Sequence, residues 1–472
     1  MFLVSLVKQL YSGFFNLQAI IRNVIRLHSI TLPELENSGN VEVFKNDIIS
    51  TGCIGIKLTQ WYISHSHSIN NARNRRIGQI FADVFDQCPY HDLAYTRAMV
   101  EQDFGTPADF LFDMELFKPI ASGSIGQVYH TRMKDTDLEV AVKVKHPDVD
   151  ANIATYIPCL KLIKKLQSYQ FIRNWFKVYF DIEDFIANIT LQCDFKNEVR
   201  NAQRFAGNFE NNEMVVIPTV HMFSNNIIVY KYESGIELAD MTSYQRYKAV
   251  LNLICFMKQT VVIDDFIHGD LHFKNWRFRI DDRKIKFVVY DFGICYNSGD
   301  LEFNRNFWNS FIDGDIKKFS AVINTMIVGK LTPAIQHNID QYTVETCEHF
   351  KKNKLNFSFF IENMLQLLYN NDITINKICL NLLITISVLE HIFQENNLLS
   401  YKDDILLDAC EVIHQQRIEM INFCKASRSY SAILEYLENI EKTYKKQGKT
   451  FELFGSIKTS KMVFSPIEPA LT

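Results

Sequence analysis

The sequence predicts an α+β protein of two lobes, with a helical extension ahead of them and a helical region behind. Three observations predict it. Residues 138–144, Leu-Glu-Val-Ala-Val-Lys-Val, alternate with period two, the mark of a half-buried strand. They follow a run of small residues at 120–128 that suits the turn side of a hairpin. A second β-rich stretch, 285–290, comes after a long helical segment and ends in Asp291-Phe292-Gly293. Strands first and helices afterwards imply a cleft between a sheet-rich and a helix-rich half.

Taken in order, residues 1–100 read as helical, with polar breaks at 34–40 and 64–74. The hairpin occupies 117–144, and 150–209 is helical in texture. Two short strands are expected at 214–218 and 226–232. Helix returns from 236 to 267, a polar cluster fills 268–275, and 300–450 is helical with loops. These changes divide the chain into an extension (1–100), a first lobe (101–232), a second lobe (233–400) and a helical C-terminal extension (401–472).

The 472 residues are 47% hydrophobic, enough for a substantial core in a chain of two or three domains' length. Fifty basic residues against 54 acidic give a net charge of −4, which excludes a global basic field for nucleic acid. Ten cysteines occur without a C-x-x-C pair, the usage of reduced, buried thiols in an intracellular, reducing compartment. No apolar run reaches 18 residues; the best candidate, 378–393, is interrupted by Asn381, Glu390 and His391 and reads as a buried helix. At the N-terminus Leu3, Val7, Leu10, Phe14, Leu17, Ile21 and Val24 recur at helical spacing beside Lys8, Arg22 and Arg26. Two readings stay open there: a helix packed on the protein's own body, or a basic amphipathic helix for a membrane surface or mitochondrial targeting.

Four features carry the chemistry, and their order matters more than any one. Ile120-Ala-Ser-Gly-Ser-Ile-Gly-Gln-Val128 is short of side chains, so phosphate oxygens could approach backbone N–H groups around Ser122, Gly123, Ser124 and Gly126. Lys143 follows on the next strand, placed to neutralise phosphates of the same ligand. His268-Gly-Asp-Leu-His-Phe-Lys-Asn275 sets Asp270 and Asn275 five residues apart, as in a D-x-x-x-x-N catalytic loop. Asp270 would orient an attacking hydroxyl and Asn275 would hold a metal. Asp291 would coordinate Mg²⁺ bridging the phosphates. A carboxylate should hold Lys143 forward from a later helix, and Glu198 is the choice. The nucleotide set is then Ile120, Ala121, Ser122, Gly123, Ser124, Gly126, Val128, Lys143 and Tyr232, with ATP and Mg²⁺ as the expected cofactors.

With these residues in view, the chain resembles the UbiB-type (aarF-domain) atypical protein-kinase-like family, from about residue 52 to 315. The most specific segments are 119–129, 140–149 with its Lys143-Val-Lys-His-Pro147 run, and 266–275. The resemblance implies a two-lobed protein-kinase-like fold and a link to isoprenoid-quinone or other lipid metabolism. It also implies a regulatory extension in which Lys57 and Gln60, a version of the K-x-G-Q signature, reach the region where a protein substrate would bind. Three positions depart from the family pattern: Thr59 replaces the signature glycine, the alanine-rich loop reads Ala121-Ser-Gly-Ser124, and E-x-D reads Gln192-Cys-Asp194. In the family the first acid of E-x-D pairs with the extension lysine. Gln192 replaces that ion pair with a neutral hydrogen bond and predicts a less firmly held extension.

Gly269 stands where ordinary protein kinases carry the H-R-D arginine, and no A-P-E follows Gly293. His272 occupies the position of a catalytic-loop lysine; it would contact the transferred phosphate or orient Asp270. Three functions remain open: an ATP-dependent atypical kinase or ATPase, a small-molecule phosphotransferase of the aminoglycoside or choline kinase kind, and a nucleotide-binding pseudokinase scaffold. Expected partners are nucleotide and a membrane lipid or lipid-like small molecule. A protein substrate is left open, and peripheral membrane or mitochondrial association is the expected location.

Overall fold

The structure is a computed structural model describing residues 18–383, except 24, 28, 67–71, 82–87, 168–181, 211, 282–283, 313–315, 330, 353–356, 372 and 377–378. Residues 1–17, most of the 378–393 segment and all of 401–472 lie outside the described residues. The N-terminal helix is therefore read from residues 18–23 and 25–27 alone, which are helical. Ile20 enters the main core and Leu27 enters a smaller core of the extension, so this part packs on the protein's own body.

Strands β1 (Lys118–Ser122), β2 (Gly126–Arg132) and β3 (Glu139–Lys145) come first; β4 (Val215–Val216) departs to the other lobe. Strands β5 (Val220–Phe223) and β6 (Ile227–Lys231) complete an antiparallel five-stranded sheet in the order β1-β2-β3-β6-β5. Lys143 pairs with Val128 on one side and Ile228 on the other, and Ala141 pairs with Tyr230. Since side chains alternate between faces, Val128, Ala141, Lys143, Ile228 and Tyr230 share one face. Tyr129, Val140, Val142, Val144, Ile227 and Val229 occupy the other, where Val100, Ala108, Phe112 and Phe117 bury them.

The helix Leu93–Phe104 supplies part of that cover. Asp92 caps it by accepting from Ala94 N, and Gly105, with φ +66°, ends it. The helix runs across the 100/101 division and shares the core of the sheet. In the cleft the helix Phe195–Asn208 faces the sheet. It buries Phe195, Glu198, Val199, Ala202 and Phe205, a stripe at helical spacing, and Asp194 caps it through Lys196 N.

The second lobe is built on the helix Ser243–Val262, opened by a Thr242–Gln245 capping box and buried throughout its last 14 residues. A short ribbon joins β7 (Ile267–His268) to β10 (Cys295–Tyr296), and β8 (Trp276–Asp281) and β9 (Lys284–Val289) form a hairpin with β4 parallel to β9. The first strand of that hairpin goes beyond the sequence expectation, although Trp276, Phe278 and Ile280 alternate with Arg277 and Arg279. Ahead of the lobes lie the helices Leu32–Glu36, Ser38–Ser50, Gly52–Ser66 and Ala72–Ile80. The break expected at 34–40 shrinks to Asn37, whose side chain accepts from Asn40 N and starts the next helix at once. The Gly52–Ser66 helix sets Cys53, Ile54 and Leu58 into the main core, which docks the extension on the lobes.

Seven cysteines among the described residues are free thiols, six of them buried. Among the described residues no helix is long and apolar enough to cross a membrane.

Candidate functional site

The small-residue loop is anchored from behind. Ser122 is fully buried, with its hydroxyl donating to Pro89 O at 3.3 Å, and His146 Nε2 donates to Gly123 O at 3.0 Å. His146 must then present a bare Nδ1, which accepts from His91 Nδ1 at 2.7 Å. His91 Nε2 in turn accepts from Thr96 Oγ1 at 2.8 Å, and the Tyr129 hydroxyl lies 2.8 Å from Thr96. The chain of donors runs one way only if both imidazoles are neutral. Burial pushes both below the ordinary histidine range, His91 to about 4.

The loop differs from the expectation in one respect. Gly123 N–H donates to Gly126 O at 3.0 Å to close the turn, so it is not free for a phosphate. Gly126 is glycine for a steric reason, since a Cβ there would sit 2.8 Å from Val144 O. Ile120 is exposed on β1, Ser124 is buried, and Ala121 is half-buried. Val128 stands beside Lys143 on the cleft face. Tyr232 lies at the rim, its ring 4.0 Å from that of His130 and its N–H donating to Glu139 O.

Lys143 Nζ donates to Glu198 Oε2 at 2.8 Å and Oε1 at 2.9 Å, and it lies 3.4 Å from Asp291 Oδ1. Burial alone would discharge this lysine; the two carboxylates outweigh it and hold the ammonium above the ordinary lysine range. Burial pushes Glu198 upward, opposed by Lys143 and by the Tyr230 hydroxyl, which donates to Oε1 at 3.0 Å. For Asp291 burial is the opposing effect, and Lys143 with Lys57 holds its carboxyl well below the usual range.

The D-F-G segment is fixed by the same helix that carries Glu198. Asn201 Nδ2 donates to Phe292 O at 2.8 Å and Asn197 Nδ2 to Gly293 O at 3.2 Å. Asp291 takes a left-handed φ of +52°, and its Oδ1 accepts from Gly293 N at 3.2 Å. The Phe292 ring is buried 5.3 Å from Phe205 and 5.7 Å from His268.

Asn275 Nδ2 donates to Asp270 O at 2.8 Å, which folds the catalytic loop on itself and leaves the amide oxygen as the group for a cation. Gly269 is required by crowding: a Cβ would meet Ile294 Cγ2 at 2.7 Å and the Tyr296 ring at 3.1 Å. His272 Nε2 is 3.9 Å from Asp270 Oδ1, and burial pushes this histidine below its ordinary range, toward the neutral form.

From the extension, Lys57 Nζ reaches Asp270 Oδ2 at 3.2 Å, and Gln192 Nε2 donates to the same oxygen at 3.2 Å. Burial would raise the Asp270 carboxyl, but the charge of Lys57 outweighs it and holds it below the ordinary carboxylate range. Gln192 Oε1 is buried without a hydrogen-bond partner. Lys57 thus meets Asp270 rather than residue 192, a side chain that offers it no charge. Asp194 caps the Phe195–Asn208 helix, and Gln60 is buried on the Gly52–Ser66 helix.

The structure therefore brings Lys143, Glu198 and Asp291 together, and separately Lys57, Gln192 and Asp270. Sequence reasoning missed Tyr230, Asn197, Asn201, His91 and His146 as supports. The i, i+4 spacing of Asn197 and Asn201 beside Glu198 was a signal for two of them.

A five-stranded sheet with a lysine–glutamate pair, facing an Asp–Asn loop and a D-F-G carboxylate, defines a protein-kinase-like protein. The chain belongs to the ABC1 atypical kinase-like family, whose domain matches residues 83–323. It is 27% identical over 204 residues to the probable protein kinase UbiB of Tolumonas auensis, covering 42% of this chain and 37% of that one. A probable serine/threonine-protein kinase of Dictyostelium discoideum is 29% identical over 209 residues, 43% of this chain and 30% of the relative. A mitochondrial ABC1 family protein of Saccharomyces cerevisiae is 25% identical over 338 residues, 64% and 48% of the two. The chain spans roughly a third to a half of the length of these relatives.

Proposed function

We propose that the protein binds ATP with Mg²⁺ in the cleft and acts as an atypical kinase or ATPase. The single observation that carries this reading is Lys143, held between Glu198 and Asp291 on the cleft face of the sheet. An ammonium kept charged and forward in this way is what the phosphates of a nucleotide require. Asp291 and Asn275 offer two oxygen donors, which fits Mg²⁺, an ion usually held by one or two protein oxygens plus substrate phosphates. Bound there, the cation would neutralise charge on the phosphates. Asp270 would orient the attacking hydroxyl or water. The loop 120–128 would lie over the phosphates, with Val128 against the base and Tyr232 at the outer rim.

A second reading has its own observation. Lys57 already occupies Asp270 Oδ2, so the group that would accept a proton is engaged by the extension. This favours a state that binds nucleotide without transferring phosphate to a protein, and it supports Lys57 and Gln192 as regulatory residues; Gln60 and Asp194 join them only through the resemblance. A phosphate acceptor or effector of lipid character, and a peripheral or mitochondrial location, are proposals resting on the names of relatives. Calorimetry with ATP and Mg²⁺, followed by single-turnover measurement on wild type and Asp270→Asn, tests the function. Binding and turnover that fall in Asp270→Asn support an enzyme, binding with equal turnover supports a scaffold, and no binding overturns both. Adding choline, an aminoglycoside or anionic lipid vesicles separates a small-molecule phosphotransferase from a lipid-coupled enzyme.

A further inference from the structure

The deep end of the cleft holds a side chain that the four motifs do not use. Tyr230 sits on β6 opposite Ala141, two residues along the strand from Ile228, the partner of Lys143. It is 9% exposed, and its hydroxyl reaches Glu198 Oε1 at 3.0 Å. We propose that Tyr230 is a positioning residue for the Lys143–Glu198 pair: its phenol holds the buried carboxylate ionised and turned toward the lysine.

The geometry distributes three hydrogen bonds from two donor groups over two oxygens. Oε2 receives Lys143 alone, whereas Oε1 receives Lys143 and Tyr230. A carboxylate that is 1% exposed has no water to complete its hydrogen bonding, so a protein donor must take that part. A second ammonium would overcompensate and compete for Lys143; a neutral hydroxyl does not. The phenol stays a donor, because burial first and the neighbouring carboxylate second push it far above its ordinary range. An ionised carboxylate can only accept, which fixes the direction of the bond. The competing role is filling space in the main core, where the ring also packs. Tyr230→Phe separates the two, since it keeps the ring and removes the donor.

The consequence for ATP rests on the reading given above, but the consequence for Glu198 does not. The test is a carbon-detected NMR titration of the Glu198 carboxyl in the nucleotide-free protein, with calorimetry of ATP–Mg²⁺ binding alongside. In Tyr230→Phe the Glu198 titration should move to higher pH, and ATP affinity should fall about 2- to 10-fold, the loss expected for one hydrogen bond. In a Glu198→Gln background the same substitution should change affinity less than about twofold, since the bond depends on the charge. If Tyr230→Phe does not fold, a fluorinated tyrosine at 230, a stronger donor of similar size, should move the titration to lower pH. An unmoved Glu198 titration in either variant overturns the proposal. A shifted titration in a protein that binds no ATP retains the role of Tyr230 and removes the nucleotide reading.

Discussion

Two lysines meet two acids in this molecule, and they meet them differently. Lys143 donates to both oxygens of Glu198, whose side chain is 1% exposed, and a phenol completes the set. Lys57 touches one oxygen of Asp270, whose side chain is 22% exposed, and shares that oxygen with an uncharged amide. The first pair lies within one lobe, between strand and helix. The second joins the lobes to the extension. A buried, fully bonded pair is costly to break, while a single partly exposed contact is exchanged at little cost. The first is the more firmly built, and the second is the one that the proposed regulation would release.

Breaking the first pair should produce the largest effect. Lys143→Ala leaves Glu198 buried without its counter-ion and should cost about 3–5 kcal/mol of stability, read by chemical denaturation, as well as abolishing ATP binding. A loss below about 1 kcal/mol would show that the two pairs are equivalent after all.

Acid should act next, through the support of the loop. His91 is pushed down to about 4, against about 6.5 for a free histidine, so between those values the unfolded chain binds more protons. The stability this gives is complete above about pH 6.5 and is lost as pH falls toward 4. His91→Gln should flatten the fall in melting temperature across that window; an unchanged slope would mean the fall comes from other groups.

The second pair should yield more gently. Lys57→Ala should cost no more than about 1 kcal/mol and should raise the Asp270 carboxyl, so that the acid loss it contributes moves to higher pH. Gln192→Glu sharpens the contrast, because it offers Lys57 a second carboxylate. Single-turnover phosphate release should rise in both variants, and a fall would identify Lys57 as part of the working site rather than a stop. The smallest effect is expected from Asn201→Ala, about 1 kcal/mol for one hydrogen bond, with a weakened response to Mg²⁺ in calorimetry as Phe292 loses its anchor.

Legibility followed the range of the interactions. The hairpin around Lys143 could be read because period-two alternation is local, and the Phe195–Asn208 helix because its stripe repeats every three or four residues. The strand Trp276–Asp281 alternates just as clearly, but it directly follows the polar cluster at 268–275, and the expected β-rich stretch begins only at 285. Gly123 suited an open phosphate loop by composition, yet its amide closes a turn, which depends on where Gly126 O comes to lie. Nothing in the sequence near Tyr230 announces Glu198, 32 residues earlier, and nothing near His146 announces His91.

The sequence by itself determined the order of the motifs and the kinds of charge they carry, because those are properties of neighbouring residues and short periods. Tertiary structure decided which charge meets which: that Glu198 takes Lys143 with help from Tyr230, and that Lys57 settles on Asp270 instead of on residue 192. Charge pairing acts over a few ångströms, and only the register of the sheet and the docking of the helices set those distances.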